Sequence, residues 1–214
     1  MDGIFITGTD TGIGKTVVSG GMICGLRKMK DLCYWKPIQT GIEEDNDTET
    51  VRLLAKCRDS EIFDKGIRLK KPLSPHLSAE IAGVRISVEE TLKLLPQTRE
   101  NAEKFWVIEG AGGVFVPINE SEMMIDLIED LKLPVIIVAR SGLGTINHTV
   151  LTIEALRNRN IEIFGVVMNG DPNRENKKAI ELYGKTKVLA EMPKFEKLDS
   201  DEFRKWSENN LCRL

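Results

Sequence analysis

The sequence predicts an α/β fold, in which a mostly parallel β-sheet is flanked by helices. Short apolar runs rich in isoleucine and valine recur along the chain, at residues 3–8, 106–110, 134–139 and 163–170. These runs do not alternate with polar residues, which is typical of strands buried on both faces of a parallel sheet. Segments with helical spacing lie between them, and this alternation gives a parallel sheet with right-handed crossovers.

The helical segments show apolar faces and one predicted cap. Apolar residues share one face in two segments: Val18, Met22, Leu26 and Met29 in residues 15–29, and Ile146, Val150, Ile153 and Leu156 in residues 145–157. In residues 87–95, Ser87 stands three positions before Glu90, which predicts a capping box at the start of a helix.

The organisation of the chain is simple. It has no internal repeat, low-complexity segment or Pro/Gly linker, so we expect one domain over residues 1–214. Residues 199–214 match no motif. We expect this tail to form a helix that packs back on the sheet through Phe203 and Trp206.

Composition argues against several classes of protein. The net charge of −3 does not indicate nucleic-acid binding, and no apolar run approaches the roughly 20 residues of a membrane-spanning helix. The four cysteines show no CxxC pairing and there are only two histidines, so neither a zinc site nor a disulfide framework is expected. The first residues lack the basic and long apolar regions of a secretion signal. We therefore expect a cytoplasmic protein without nucleic-acid or membrane partners.

The strongest single motif is GTDTGIGKT at residues 8–16, between the first predicted strand and the first predicted helix. Its glycines let backbone N–H groups surround an anion, and the helix N-terminus favours negative charge. Lys15 would reach the outer phosphates of a nucleotide, and the Thr16 hydroxyl would bind Mg²⁺. The usual pattern has its first glycine one residue later, at Thr9. An ordinary glycine-rich turn is the alternative, but the context favours phosphate binding and a three-layer architecture like that of P-loop NTPases.

A second group of charged residues follows the predicted strand that ends before Pro37. Lys36 would lie at a carboxyl end of the sheet, where open α/β sheets bind ligands, although a solvated surface lysine fits the pattern equally. Mg²⁺ needs further oxygen ligands, and the acidic run that follows offers Asp47 or its rival Glu49. Without the phosphate loop, an exposed acidic loop would be the simpler interpretation.

A carboxylate ends the apolar run at residues 106–110. Glu109 is followed by Gly110, Gly112 and Gly113. A charge at the end of a buried strand is costly unless it is paired or bound to a metal, and glycines let the backbone approach a ligand closely. Glu109 is therefore predicted to be a metal-associated acid rather than a purely structural one.

Three further polar segments are weak signals when taken alone. Residues 74–80 place hydroxyls and His76 on a turn into a helix, and His76 is as readily a buried or cap-neighbouring imidazole as a functional group. Residues 141–148 open a helix whose free N–H groups could bind a carboxylate, but a plain loop is the alternative. Asn169, at another strand end, has an amide suited to an adenine edge, although a turn-forming asparagine is the simpler interpretation.

Taken in order, GTDTGIGKT, KPIQTG, SPHLSAE, EGAGG and GLGTINH resemble the dethiobiotin synthetase family from about residue 3 to residue 195. That family shares the shifted glycine of the phosphate loop. The resemblance implies a homodimeric ligase of biotin biosynthesis that uses ATP and Mg²⁺. It would convert 7,8-diaminononanoate and CO₂ to dethiobiotin through a carbamate and a carbamic–phosphoric anhydride.

The resemblance also implies roles for individual residues. Lys15 and Lys36 would be the catalytic cations, and Thr16, Asp47 and Glu109 would bind Mg²⁺. The remaining nucleotide contacts would come from Thr11, Gly12, Ile13, Gly14, Val17, Gly110, Ala111, Gly112, Asn169, Gly170, Pro193, Lys194 and Phe195. The diamine would contact Thr40 and Ser74 at its reacting end and, at its carboxylate, four residues of the second subunit: Gly144, Thr145, Ile146 and Asn147.

Two other classes of protein compete with this interpretation. Partitioning and metal-cluster-carrier ATPases resemble the chain in the phosphate loop, but they carry a lysine near its start, where this chain has Asp10. A non-catalytic nucleotide-binding module is the other alternative. The presence of Lys15, Lys36, Thr16 and Glu109 together argues against it.

Overall fold

The computed structural model describes residues 1–96, 103–198 and 201–212, and its centre is a parallel β-sheet. The strands are β1 (Asp2–Gly8), β2 (Leu32–Trp35), β3 (Ile38–Thr40), β4 (Ile62–Phe63), β5 (Ile67–Leu69), β6 (Phe105–Gly113), β7 (Val135–Arg140), β8 (Ile163–Asn169) and β9 (Val188–Met192). The main sheet has the strand order β4-β2-β6-β1-β7-β8-β9, and its neighbouring strands are parallel. β3 and β5 form a separate parallel pair. The predicted α/β fold with a mostly parallel sheet is confirmed.

Helices cover both faces of this sheet. They are α1 (Lys15–Leu26), α2 (Asp47–Ala55), α3 (Pro75–Ala82), α4 (Val88–Leu92), α5 (Met124–Leu131), α6 (Thr145–Asn158), α7 (Arg174–Gly184) and α8 (Asp201–Asn210), with a 3₁₀ turn at Asp59–Glu61. Apolar side chains of α1 and α2, with Phe203 of α8, form the core on one face, and α3 to α7 contribute to the core on the other. Within the described ranges, no helix is both long enough and apolar enough to cross a membrane.

The register of β2 and β6 decides which residues share a face near the carboxyl ends of the strands. Tyr34 pairs with Val107, and Trp35 pairs with Ile108. Successive side chains of a strand point to opposite faces, so Tyr34 lies in the core beneath α1 and Trp35 lies in the opposite core. Glu109 follows Val107 by two residues and therefore faces the α1 side.

Two predicted element ends differ in the structure. α1 ends at Leu26, and Met29, which was predicted to continue its apolar face, is 55% exposed. The Met29 N–H donates to Leu26 O at 2.8 Å in a turn that leads towards β2. β6 continues past residue 110 to Gly113, because its glycine-rich end stays beside β1 after a register shift between Ile6 and Gly8.

The buried face of α6 was predicted correctly only in its second half. Ile153 and Leu156 are buried, but Ile146 and Val150 are half-buried. The core side of the first turns carries three threonines instead: Thr145, Thr149 and Thr152. Their hydroxyls can be buried because they have close partners. Thr152 Oγ1 donates to His148 O at 2.9 Å, and the other two hydroxyls lie 3.4 Å apart.

The predicted cap of α4 is present in part. Ser87 Oγ accepts the Glu90 N–H at 3.1 Å, as a capping box requires. The Glu90 carboxylate, however, accepts from the Ser87 hydroxyl at 3.3 Å. The serine cap alone is therefore enough to start this short helix.

The C-terminal tail forms the expected helix, α8, but it packs on α1. Phe203 is fully buried and stacks edge-on against Phe195 at 5.3 Å between ring centroids, and Trp206 lies 6.0 Å from the same ring. Gly21 and Gly25 of α1 leave room for this contact, since an added Cβ on either would meet Ser207 or Leu211 at about 3 Å. Residues 199–200 and 213–214 of the predicted tail lie outside the described residues.

A buried carboxylate at the 3₁₀ turn fixes the C-terminal end of α1. Glu61 is 1% exposed and accepts hydrogen bonds from Arg27 Nε at 2.8 Å and Nη2 at 3.0 Å, and from the Arg58 N–H at 2.8 Å. Burial alone would raise the pKa of Glu61. The hydrogen bonds from Arg27 and Arg58 outweigh burial and hold this pKa below its ordinary value of 4.5.

We expect the Glu61→Gln variant to be about 2 kcal/mol less stable than the wild type near neutral pH, because hydrogen bonds from charged donors are lost. The pKa of Glu61 is lower in the folded than in the unfolded state. Its stabilisation is therefore complete above the unfolded value of about 4.5 and is lost as the pH falls below that value. Urea unfolding at decreasing pH should show the difference between the two proteins shrinking.

The exposed ion pair between Lys28 and Glu208 supplies a matched control. We expect Glu208→Gln to change the free energy of unfolding by less than about 1 kcal/mol, because exposed pairs contribute little. A stability difference for Glu61→Gln that stays constant from neutral pH to below pH 4 would contradict the role given to its carboxylate.

Candidate active site

The phosphate loop joins the end of β1 to the start of α1, as predicted. Gly12 and Gly14 have positive φ angles of 68° and 96°, which place both residues in the left-handed region that favours glycine. Asn169, at the end of β8, donates its Nδ2 hydrogen to Ile13 O at 2.8 Å. An added Cβ on Gly14 would collide with that same amide. Asn169 therefore holds the loop from the neighbouring strand end, a contact that sequence reasoning missed.

Asp10, in the first half of the phosphate loop, is held by neighbouring residues of the loop and by β7. Asp10 accepts from the Thr11 N–H at 2.7 Å and from Arg140 Nη2, also at 2.7 Å, and its carbonyl accepts from Lys15 Nζ at 2.9 Å. Arg140 ends β7 and was not predicted to contribute to the site. The only available signal was its position at a strand end.

Lys15 lies in the cleft with its ammonium group largely buried. Burial and the nearby charge of Lys36 lower the pKa of Lys15 from 10.5 to about 8. The lowered pKa means that the negative charges near the Lys15 ammonium group do not offset its burial and the charge of Lys36. An anion bound beside the ammonium would counter this effect and favour its charged form.

Lys36 is buried between two carboxylates. It is 3% exposed, and Nζ lies 2.6 Å from Asp47 Oδ2, 2.8 Å from Glu109 Oε1 and 3.0 Å from Gly110 O. Burial alone would lower the pKa of Lys36, but Glu109 and Asp47 outweigh it and raise the pKa above its ordinary value. Of the two interpretations left open by the sequence, a solvated surface lysine is excluded.

The backbone around Lys36 is fixed by its neighbours. Trp35 donates its indole N–H to Lys65 O at 2.6 Å, and Arg68 Nη1 donates to Lys36 O at 2.8 Å. These bonds attach the end of β2 to β5 and to the segment before it. They leave the Lys36 side chain directed at Asp47 and Glu109.

Thr16 lies between the same two carboxylates. Its Oγ1 is 2.8 Å from Asp47 Oδ1 and 2.9 Å from Glu109 Oε1, yet the hydroxyl has one hydrogen to donate. Oxygen atoms of three side chains thus meet at one point, which suits a hard divalent cation. Across the described residues, no group of three or more His, Cys, Asp or Glu side chains could hold a metal ion. A cation here would need other ligands as well, such as phosphate oxygens.

The two candidate acids of the run before α2 differ in position. Asp47 begins α2 and points into the cleft, where Lys36 outweighs the effect of burial and lowers the pKa of Asp47 below 3.8. The side chain of Glu49 is 53% exposed and lies 3.3 Å from Arg52 Nε. Asn46 caps the helix by accepting the Glu49 N–H at 3.2 Å. The cap directs residue 47, and not residue 49, at Thr16.

These groups lie in one cleft of about 770 Å³. Its wall brings together thirteen of the residues singled out from the sequence: Thr11, Gly12, Gly14, Lys15, Thr16, Val17, Lys36, Thr40, Asp47, Ser74, Glu109, Ala111 and Gly112. Thr40 ends β3 and Ser74 precedes α3, so the small parallel pair and its connection to α3 supply the side of the cleft opposite the phosphate loop.

Other predicted residues lie outside this lining. Ile13 and Gly110 contribute carbonyl groups behind it, to Asn169 and Lys36. The N-terminal turn of α6 is elsewhere on the chain surface, with Gly144 and Asn147 exposed, Ile146 half-buried and Thr145 buried. Residues 193–195 follow β9, where the Phe195 ring packs against α8. Gly170 closes the end of β8 beside Ser141.

His76 stays unassigned. It is half-buried, its backbone N–H donates to Pro117 O at 3.3 Å, and its side-chain Nδ1 is buried without a hydrogen-bond partner among the described residues. His76 is absent from the residues that line the cleft. The structure thus gives it a place on α3 but no contact that defines a function.

Comparison with known proteins identifies the family. A family model described as an AAA domain matches residues 2–202. The chain is 48% identical over 192 residues to the ATP-dependent dethiobiotin synthetase of Paramagnetospirillum magneticum, which covers 90% of this chain and 88% of that protein. It is 44% identical over 201 residues to the protein of the same name from Bradyrhizobium diazoefficiens, over 94% and 91% of the two chains. The chain belongs to the ATP-dependent dethiobiotin synthetase family.

Part of a longer relative also matches. A biotin biosynthesis bifunctional protein of Bordetella avium is 43% identical over 206 residues. The match covers 96% of this chain but 42% of that protein. The chain thus spans less than half the length of this relative and about nine-tenths of the two dethiobiotin synthetases.

Solved structures with the same fold share little sequence with this chain. A ParA family ATPase from Chlorobium tepidum has a TM-score of 0.59 at 11% identity, over 96% and 97% of the two chains. A MinC:MinD cell division complex from Aquifex aeolicus has a TM-score of 0.59 at 12% identity, over 97% and 87%. At this identity the likeness shows the fold alone, and it confirms the predicted P-loop NTPase-like architecture.

We expect Gly14→Ala to weaken ADP binding at least about tenfold, because the added methyl group meets the Asn169 amide that holds the loop and the left-handed backbone is strained. Isothermal titration calorimetry measures the affinity. Gly83→Ala is the matched control: Gly83 also has a left-handed φ, of 66°, but an added Cβ there meets nothing within 4 Å.

The control should lose about 1 kcal/mol of stability through backbone strain and keep its affinity for ADP. Equal losses of affinity in the two variants would show that the collision with Asn169 does not matter to the loop.

Proposed function

We propose that this chain catalyses the ATP- and Mg²⁺-dependent closure of a cyclic urea on 7,8-diaminononanoate, with CO₂ as the source of the ring carbonyl. The products would be dethiobiotin, ADP and phosphate. The observation that carries the proposal is the burial of Lys36 against Asp47 and Glu109, in the same cleft as Lys15 and the phosphate loop. A carbamate and a triphosphate repel each other, so the reaction needs cations where the two meet.

The proposed reaction has three steps. One amine of the substrate attacks CO₂ and loses a proton, which gives a carbamate. A carbamate oxygen then attacks the γ-phosphorus of ATP and ADP leaves, which gives a carbamic–phosphoric anhydride. The second amine attacks the anhydride carbonyl, and loss of a proton and of phosphate closes the ring.

Two lysines would supply the charge for the second step. Phosphoryl transfer is catalysed largely by positioning and by neutralising charge. Lys36 would stay protonated beside its two carboxylates and stabilise the carbamate. Lys15, which begins α1, would stabilise the outer phosphates. Thr40 and Ser74, on the facing wall of the cleft, would contact the reacting end of the diamine.

Thr16, Asp47 and Glu109 would hold Mg²⁺ together with phosphate oxygens and water. An oxygen of Asp47 and an oxygen of Glu109 both approach the Thr16 hydroxyl, and this arrangement supports the ligand set. About six oxygen ligands surround Mg²⁺ in proteins, which leaves positions for the nucleotide. When bound, the ion would neutralise charge on the β- and γ-phosphates.

The adenine is proposed to lie beside the ends of β8 and β9. Asn169 ends β8 next to the phosphate loop, where it is bonded to Ile13, and Gly170 follows it. Pro193, Lys194 and Phe195 follow β9 directly, so the base would extend from the loop across these two strand ends.

We further propose that two copies of the chain share their active sites across a two-fold axis. The substrate carboxylate lies several methylenes from the amines, and a helix N-terminus favours an anion. The start of α6, with Gly144, Thr145, Ile146 and Asn147, lies outside the cleft lining of its own chain. Leu143 and Leu151 beside it are 100% and 60% exposed, which suits burial against a second copy.

We expect ATP turnover by the purified protein to require both the diamine and bicarbonate, with one dethiobiotin formed per ADP. An ADP-coupled assay together with mass spectrometry measures both products. In this assay Lys36→Ala should lose about two orders of magnitude in turnover, since a preorganised charge of this kind contributes ~3 kcal/mol.

Lys104→Ala is the matched control for removing a buried lysine. Lys104 is 8% exposed, but its Nζ donates to Ser60 O at 2.8 Å, and it is not among the residues that line the cleft. We expect this variant to keep its turnover. ATP hydrolysis that ignores the diamine would refute the proposed reaction, and near wild-type turnover of Lys36→Ala would remove Lys36 from it.

The shared site predicts complementation between two impaired variants, measured at a diamine concentration too low to saturate Asn147→Ala. Asn147→Ala should weaken diamine binding more than ATP binding, and Lys36→Ala should lose turnover. Mixed dimers of the two variants would have one intact site of two, so random mixing of subunits should restore about a quarter of wild-type activity. Mixing after gentle dissociation, followed by the turnover assay, tests this. An active monomer, or no recovery in verified mixed dimers, would contradict the shared site.

A further inference from the structure

Tyr34 is a fully buried side chain that no sequence motif singled out. It lies on β2, two residues before Lys36, and its hydroxyl donates to Glu109 Oε2 at 2.9 Å. The strand register explains the contact. Tyr34 pairs with Val107, and the next residue of β6 on the same face is Glu109.

The two oxygens of Glu109 are therefore held by different partners. Oε1 lies 2.8 Å from Lys36 Nζ and 2.9 Å from Thr16 Oγ1, whereas Oε2 takes the hydrogen bond from Tyr34. A carboxylate at the end of a flexible side chain can rotate about its last bond. A donor on Oε2 restricts that rotation and keeps Oε1 directed at Thr16.

A tyrosine hydroxyl suits this role because it donates without adding charge. The Tyr34 hydroxyl lies 2.9 Å from a carboxylate oxygen that can only accept, so the phenol is the donor in this contact. A second cation at this position would instead neutralise the carboxylate and weaken its attraction for a metal ion.

We propose that Tyr34 is a positioning residue that orients Glu109 Oε1 towards the Mg²⁺ site. The inference rests on the ligand set of the proposed function. Partners behind metal ligands of this kind fix the orientation of the ligand, and their removal costs about 10- to 100-fold in metal affinity or activity.

The test is Tyr34→Phe, which removes the hydroxyl and keeps the ring. Calorimetry gives the affinity for ADP with excess Mg²⁺ and with EDTA, and the ratio of the two affinities is the Mg²⁺-dependent gain. We expect this gain to fall about 10-fold or more, while the affinity in EDTA changes less than twofold. In turnover assays, the half-saturating Mg²⁺ concentration should rise, and KM for the diamine should stay constant.

Thr91→Val is the matched control for loss of a buried hydroxyl. Thr91 is fully buried on α4 and donates to Ser87 O at 2.7 Å, and it does not line the cleft. We expect this variant to lose stability and to keep the Mg²⁺-dependent gain. The same gain in Tyr34→Phe and the wild type would overturn the role of Tyr34.

Glu109→Gln separates this inference from the ligand set on which it rests. If Glu109→Gln loses the Mg²⁺-dependent gain and Tyr34→Phe keeps it, Glu109 stays a ligand and only the role of Tyr34 is refuted. If Glu109→Gln also keeps the gain, the ligand set itself is wrong. Loss of the gain in both variants, with Thr91→Val unchanged, supports both assignments.

Discussion

The rest of the site depends on one constraint: the buried charges of Lys36, Asp47 and Glu109 must offset one another. Lys36 and Glu109 are almost inaccessible to water, and Asp47 is mostly so. Each charge would be costly to bury alone, and removing one partner of such a group leaves an uncompensated charge. Lys15 also lies within electrostatic reach of both carboxylates. The oxygens of Asp47 and Glu109 that approach the Thr16 hydroxyl are the physical basis for the proposed Mg²⁺ site.

The cluster depends on three segments that are far apart in the sequence and meet only through the strand order. β6 lies between β1 and β2, which brings Glu109 beside both the phosphate loop and the end of β2. The cap at Asn46 then turns Asp47 into the space between them. Two side chains outside the cleft lining support these groups: Tyr34 donates to the Glu109 carboxylate, and Arg68 donates to the backbone carbonyl of Lys36. Each of the three charged groups is thus supported by a different element: Lys36 by β2, Asp47 by α2 and Glu109 by β6.

The sequence was sufficient to predict five strands (β1, β2, β6, β7 and β8), the phosphate loop and the position of Lys36 and Glu109 at the carboxyl ends of buried strands. β3, β4, β5 and β9 were not predicted. Those predictions depend on local pattern and on the rule that ligands bind at the carboxyl ends of strands. The sequence could not show that Asn169 holds Ile13 or that Arg140 holds Asp10, because both contacts depend on which strands are neighbours. The threonine face of α6 was missed for a related reason. Hydroxyls bonded within a helix can replace apolar residues in a core, and periodicity does not detect them.

The fold is shared with ParA and MinD ATPases at 11% and 12% identity, so the sheet and the loop do not by themselves define the chemistry. At the loop, Asp10 occupies a position where the rival ATPases carry a lysine, and Arg140 pairs with its carboxylate. The structure instead places a buried cation, Lys36, directly after the end of β2. That position places the charge between the phosphate loop and the wall formed by Thr40 and Ser74, where a second substrate has room. In the proposed reaction, Lys36 would therefore stand between the nucleotide phosphates and the diamine.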